Sequence, residues 1–162
     1  MPKWGVLIVG LIALIVIITF LALRLRPANK ITFPPCPDFT TQRLIIASKE
    51  ITVALADSPA KRMHGLSSCP AIPENSGMYF ILGKAHNTAF WMKDMLAPLD
   101  IVWVKDNVVT WVVPAAPIPS PGQSDDTLTK YTSPSPVDAV LELPAGQAQT
   151  HGIKIGTTIK PI

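Results

Sequence analysis

The sequence predicts an α+β domain: a mainly antiparallel curled sheet or small β-barrel with two short helices, preceded by one transmembrane helix. Three observations lead there. The chain opens on an uncharged apolar run, residues 4–23. Short runs of β-branched and aromatic residues follow, punctuated by Asp, Asn, Gly and Pro. Two stretches alone carry helix start and stop residues, too little helix for a doubly wound fold.

The apolar run begins at Trp4 and ends at Leu23. About 20 residues at about 1.5 Å each span about 30 Å, the hydrocarbon thickness of a bilayer. Trp4 suits one interface, and Arg24 and Arg26 can snorkel to the other. A cleaved signal peptide is the rival reading. Its apolar core would be shorter, roughly 7–15 residues, and would end in a small-residue cleavage site. Here Arg24-Leu25-Arg26 follows at once, so a retained single-pass anchor is expected over residues 1–26. Residues 27–42 read as a Pro-rich linker and 43–162 as one compact domain.

The formal net charge of +3 is concentrated at the anchor. Lys3, Arg24, Arg26 and Lys30 flank it, and from Ile31 onward ten Lys/Arg face eleven Asp/Glu, a balance of −1. A nucleic-acid-binding domain would carry a basic patch of its own. No nucleic-acid partner is therefore expected; the expected partners are the lipid bilayer and an unidentified small ligand or envelope component, with the protein a monomer.

Orientation is contested within the sequence. The arginines after the anchor favour a cytoplasmic domain by the positive-inside rule. The two cysteines, Cys36 in PPCPD and Cys69 in SSCPAIP, favour the other side. Their Pro-rich settings fit one disulfide in an oxidising compartment, closing a loop of about 33 residues and contributing roughly 3–4 kcal/mol in the chain-entropy model. Two unrelated buried thiols are the alternative. The domain is expected to be extracytoplasmic.

Along the domain, 43–47 and 51–56 read as two strands or a hairpin. Asp57-Ser58-Pro59 starts a short helix that Gly65 stops. Strands are expected at 77–82, 88–92, 99–105 and 108–113, the last two joined at Asp106-Asn107. Residues 114–136, with six prolines, read as a long loop. The alternation in 137–143 predicts a strand, after which Pro144 would open a second helix ending at Gly152. A final strand near 158–159 could close the sheet.

The stretches KRMHGLSSCPAIPENSGMYFIL, FWMKDMLAPLDIVWV, YTSPSPVDAVLELPAG and HGIKIGTTI occur in that order. Together they resemble the bacterial and archaeal family known as domain of unknown function 192, over about residues 43–160. The resemblance implies a compact β-rich domain, often behind a signal peptide or anchor, and no established activity. It singles out Arg62 with Gly65-Leu66, Gly77-Met78, Phe90-Trp91-Met92-Lys93, Pro98-Leu99-Asp100, and Glu142 with Pro144 and Gly146. Asp94-Met95 replaces the family's usual Asn-Thr, and Ser67 replaces its usual Met. A function relying on that amide or hydroxyl would not carry over.

These positions supply the site candidates: Arg62, Trp91, Met92, Lys93, Asp100 and Glu142. In a strand, Phe90 and Met92 share one face and Trp91 and Lys93 the other. One pair is directed outward, where an aromatic beside Lys93 could line a groove; ordinary packing is the bland alternative. Asp100 lies in an apolar strand and needs a partner, for which Arg62 and Lys93 are the candidates. That pair would be structural or would face a cleft. Glu142 in VLELP raises the same question, with a solvent-facing carboxylate as the simpler answer. His64, His86 and His151 lack metal-ligand spacing, and no nucleophile or phosphate-loop signature is present, so no cofactor or metal is expected. A non-catalytic binding module is the expected function. The alternative is an enzyme using Asp100 or Glu142 as acid/base, which would require a carboxylate in a cleft with a raised pKa.

Overall fold

A computed structural model describes residues 39–162. The predicted anchor, Cys36 and nearly all of the predicted linker lie outside the described residues. Among those described, no helix is long and apolar enough to cross a membrane.

Nine strands and two short α-helices form the domain: β1 Thr41–Ile46, β2 Lys49–Ala56, α1 Pro59–His64, β3 Ser76–His86, β4 Ala89–Trp91, β5 Leu99–Lys105, β6 Val108–Ala116, β7 Lys130–Thr132, β8 Val137–Pro144, α2 Gln147–Thr150 and β9 Ile159–Pro161. Seven strands make one sheet in the order β6-β5-β8-β3-β2-β1-β9, while β4 and β7 form a separate pair. All pairings are antiparallel except β2–β3, the two strands that α1 connects. The sheet curls into a half-barrel whose edges meet at one end. There Val108 at the start of β6 bridges Thr158 just before β9. The Val109 amide donates to Thr157 O at 2.9 Å and the Ile159 amide to Asn107 O at 2.8 Å.

Side-chain alternation sorts the core into two layers. Leu44, Ile46, Val53, Tyr79, Val102, Leu141 and Ile159 pack inside the curl. Met78, Phe80, Ile101, Trp103 and Val140 pack on the opposite face with Leu66, Met92 and Met95 from the covering segments. Burial on both faces explains why GMYFIL, LDIVWV and VDAVLEL read as nearly continuous apolar runs. Phe39 also belongs to this outer layer, so packing begins ahead of residue 43.

Local chemistry accounts for most boundaries. The Ser58 hydroxyl caps α1 by accepting from the Lys61 amide at 3.3 Å, and Pro59 occupies its first turn. Two-residue turns with positive φ at both positions join β1–β2 (Ala47, Ser48) and β5–β6 (Asp106, Asn107), matching the twist of the flanking strands. Three expectations change. The region 114–136 is not one loop, because it contains the end of β6, a 3-10 turn at Asp125–Thr127 and β7. β7 is missed from sequence because its three residues, KYT, are too few to show alternation. Pro144 ends β8 and does not open α2, which starts only after Gly146 takes up a left-handed conformation, φ 84°.

Candidate functional site

A cleft of about 110 Å³ lies on the outer face of the sheet. Its walls are the α1 C-terminus with the segment that follows it, and β4 with the segment that follows it. Two hydrogen bonds pin the walls together: the Ser68 amide to Asp94 O at 2.8 Å, and the Ser67 hydroxyl to Lys93 O at 3.1 Å. Asp94 sits at φ 55°, a conformation that Asp and Asn tolerate better than most residues, and Met95 is buried in the outer core layer. Both departures from the family pattern are thereby accommodated locally.

Phe90 points down from β4. Its ring meets Phe80 edge-on at 4.8 Å and Trp103 at 5.5 Å, which fixes β4 against the sheet. Met92, 4 % exposed, also packs inward and contributes to the core, not to the cleft. Trp91 and Lys93 turn outward and line the cleft, the Lys93 ammonium 5.8 Å from the centre of the Trp91 ring. Lys93 is ion-paired to Asp125, which raises its pKa and holds it cationic. From the facing wall, Arg62 donates one hydrogen bond to Ile81 O at 2.9 Å and makes no ion pair among the described residues.

Glu142 lies at the base. It sits in β8 opposite Met78 on one side and Ile101 on the other. It is 5 % exposed and lines the cleft, and its carboxyl group has no hydrogen bond or ion pair among the described residues. Burial without a compensating partner disfavours the anion, so its pKa is pushed up to about 8. At neutral pH the group is mainly a carboxylic acid, able to donate as well as accept. A solvent-facing carboxylate is therefore the wrong picture of Glu142. Leu66, Phe80, Phe90 and Met95 complete an apolar lining that sequence reasoning did not single out.

Asp100 is not brought to this cleft. Strand alternation turns it to the other face, and its partners are neither Arg62 nor Lys93. One carboxylate oxygen accepts from the Ala115 amide and the other from the Ala148 amide, each at 2.8 Å. The side chain thus ties a kinked part of β6, where Ala115 has φ 48°, to the start of α2. The cleft therefore gathers four of the candidates, Arg62, Trp91, Lys93 and Glu142, and leaves Met92 and Asp100 in structural positions.

His64 lies at the rim and His151 is buried against Gln147 at 2.7 Å. Among the described residues no three His, Cys, Asp or Glu side chains converge as a metal site would need. Cys69 is fully buried and is not a free thiol.

Comparison with known proteins places the arrangement among relatives. The profile of the DUF192 family, described as uncharacterized ACR, matches residues 42–161. A crystal structure from Sinorhizobium meliloti 1021, described as a candidate transcription regulator, shares 27 % identity over 76 % of this chain and 95 % of that one, with a TM-score of 0.68. A protein of unknown function from Novosphingobium aromaticivorans DSM 12444 shares 25 % identity over 78 % of this chain and 89 % of the other, also with a TM-score of 0.68. No curated protein matches the chain.

Proposed function

The chain belongs to the DUF192 family, in which no activity is assigned, and we propose from its own cleft that it is a non-catalytic module that binds a small ligand between Arg62, Trp91, Lys93 and Glu142. One observation carries this reading: Glu142, a residue only 5 % exposed, presents at the base of the cleft a carboxyl group with no hydrogen bond or ion pair among the described residues. A ligand entering the cleft would supply the hydrogen bond that the described residues do not give this carboxyl group. Trp91, still 45 % exposed, offers an aromatic surface at the mouth. Thermal-shift screening of the full-length chain against metabolites, peptides and glycans tests the reading. A hit should vanish in Trp91→Ala and persist in an Asp100 variant that still folds. Hits insensitive to Trp91, Arg62 and Glu142 alike would sink it.

A second reading keeps Glu142 as the acid/base of an enzyme, favoured by its raised pKa in a cleft. Asp100 is unsuited to that role because both of its oxygens are engaged. Turnover of a bound compound, lost in Glu142→Gln with binding retained, would favour catalysis over binding alone.

We also propose that residues 4–23 anchor the protein as a single span, with the domain outside the cytoplasm, monomeric, and stapled by a Cys36–Cys69 disulfide. The burial of Cys69 and its lack of a free thiol support the last element. Resistance of the protein to alkaline extraction of membranes and digestion of the domain by external protease are the expected results. Release on extraction would remove the anchor, and protection in intact spheroplasts would reverse the orientation. The regulator description of the S. meliloti relative is not extended to this chain, whose charge from residue 31 onward is −1 (10 − 11) and offers no basic excess for DNA.

A further inference from the structure

The charged groups lining the cleft are unequal in what they have left to give. Lys93 is engaged by Asp125. Arg62 spends a single hydrogen bond on Ile81 O, leaving most of its five donors for another partner. Glu142 lines the same cleft and makes no ion pair among the described residues. While Glu142 holds its proton, the polar groups available at this cleft are mostly donors, and the lining carries net positive charge. Such a site repels an amine and calls for an acceptor with negative charge. Phe90 and Trp91, the aromatic residues of the lining that keep exposed surface, offer a face to an apolar or aromatic body behind it. The volume of about 110 Å³ lies well below the several hundred Å³ of a drug-sized pocket, so the occupant is small.

We propose that the cleft binds a small carboxylic acid in its anionic form, the carboxylate held between the Arg62 guanidinium and the carboxyl group of Glu142, with its hydrocarbon or aromatic part against Phe90 and Trp91. The inference rests on the reading of the cleft as a binding site. A guanidinium matches a carboxylate in planar, two-point fashion, and an O–H donated to a carboxylate is among the stronger neutral-to-ion hydrogen bonds. Binding an anion beside Glu142 also makes its proton harder to lose, so ligand and proton bind together.

The test is calorimetric titration of the full-length chain with benzoate, phenylacetate and hexanoate, against benzamide and benzylamine as neutral and cationic counterparts. NMR of the Trp91 indole N–H would locate each event. The carboxylates should bind at least tenfold more tightly than their counterparts. Their affinity should be flat from about pH 6 to pH 7, where carboxylic acids of ordinary pKa near 4 are fully ionised, and fall as pH rises through the titration of Glu142, by up to tenfold per pH unit. Arg62→Gln should weaken them at least tenfold. Glu142→Gln, which cannot ionise, should remove the fall at high pH. Preference for benzylamine, affinity that rises with pH, or indifference to Arg62→Gln would overturn the proposal. If benzamide or benzylamine binds and shifts Trp91 while the acids do not, the carboxylate assignment fails and the binding reading stands. If none of the probes binds, the carboxylate assignment fails, and the broader screen decides the binding reading separately.

Discussion

Glu142 lies directly across the β3–β8 ladder from Met78, so the carboxyl group whose pKa is pushed up to about 8 has a fully buried thioether as its neighbour. This placement makes Glu142 a liability to the fold at high pH. In the unfolded chain it titrates near its ordinary value of 4.5, and in the folded domain near 8. Between those values the folded state holds a proton that the unfolded state has released. Stability from this group is complete below about pH 4.5, declines as pH rises, and is gone above about pH 8. The total is on the order of 5 kcal/mol at 1.36 kcal/mol per pKa unit. Glu142→Gln, which mimics the protonated acid, should match the parent near pH 4.5 and exceed it by several kcal/mol at pH 8. Urea unfolding at a series of pH values reads the difference, and parallel curves for the two proteins would refute it.

The same ladder dictates a glycine. A Cβ at Gly77 would stand 2.1 Å from the Glu142 carbonyl oxygen and 2.9 Å from Leu143 Cδ2. The first of these is backbone and cannot swing away. Gly77→Ala should therefore cost at least about 3 kcal/mol, the upper end of ordinary overpacking penalties. A thermal midpoint within a degree or two of the parent would show that β3 and β8 can separate without loss.

How legible these features are in the sequence depends on the range of the interaction that sets them. The caps and turns at Ser58, Gly65 and Asp106-Asn107 are local, and so their elements can be read from neighbouring residues. The strand alternation of Trp91 and Lys93 against Phe90 and Met92 is equally local. Partners that arrive from afar are not legible. Asp100 is satisfied by amides 15 and 48 positions away, and nothing in PLDIVWV indicates backbone donors over Arg62 or Lys93. Glu142 reads as solvent-facing because polar residues in strands usually are. Its burial follows from β8 being central, with β3 and β5 on its flanks. The pairing of β4 with β7 is likewise invisible, since it joins two three-residue strands across 38 intervening residues, 92 to 129.

Asp100→Asn should destabilise the domain without touching the cleft. An Asn offers one acceptor oxygen where the carboxylate offers two, so either the Ala115 or the Ala148 amide would lose its partner and face an NH₂ group. The expected cost is about 2–3 kcal/mol, in the range for hydrogen bonds to charged groups. Ligand affinity measured on the folded fraction should be unchanged. A variant with parental stability and lost binding would place Asp100 in the ligand site after all.

The proposed disulfide predicts a labelling pattern. Denatured, unreduced protein isolated from the oxidising side of the membrane should take up no maleimide, and reduced protein should take up two per chain, given that the sequence holds two cysteines. Cys69→Ser should destabilise by about 2–4 kcal/mol, the usual range for losing a native bridge. Equal labelling with and without reductant would show two free thiols and remove the argument for an extracytoplasmic domain.

The β1–β2 turn is the place where the fold is least well served by its sequence. Ala47 and Ser48 carry φ of 47° and 67°, and neither is a residue that prefers the left-handed region. The turn holds because Leu44 pairs with Ile51 and Ile46 with Lys49, and Leu44, Ile46 and Ile51 are all buried in the inner layer. A shift of one residue in register would turn those side chains outward, so the core imposes the turn on residues that resist it. The β5–β6 turn, with Asp106-Asn107 in the same conformation, meets the requirement with better-suited residues. Replacing Ala47-Ser48 by Asn-Gly should relieve the mismatch and stabilise the domain by about 0.5–1 kcal/mol, an increase of a few degrees in Tm. The single change Ser48→Gly should give part of that gain. A fall in Tm for the double variant would mean that Ala47 or Ser48 makes a contribution in the native turn beyond its backbone conformation.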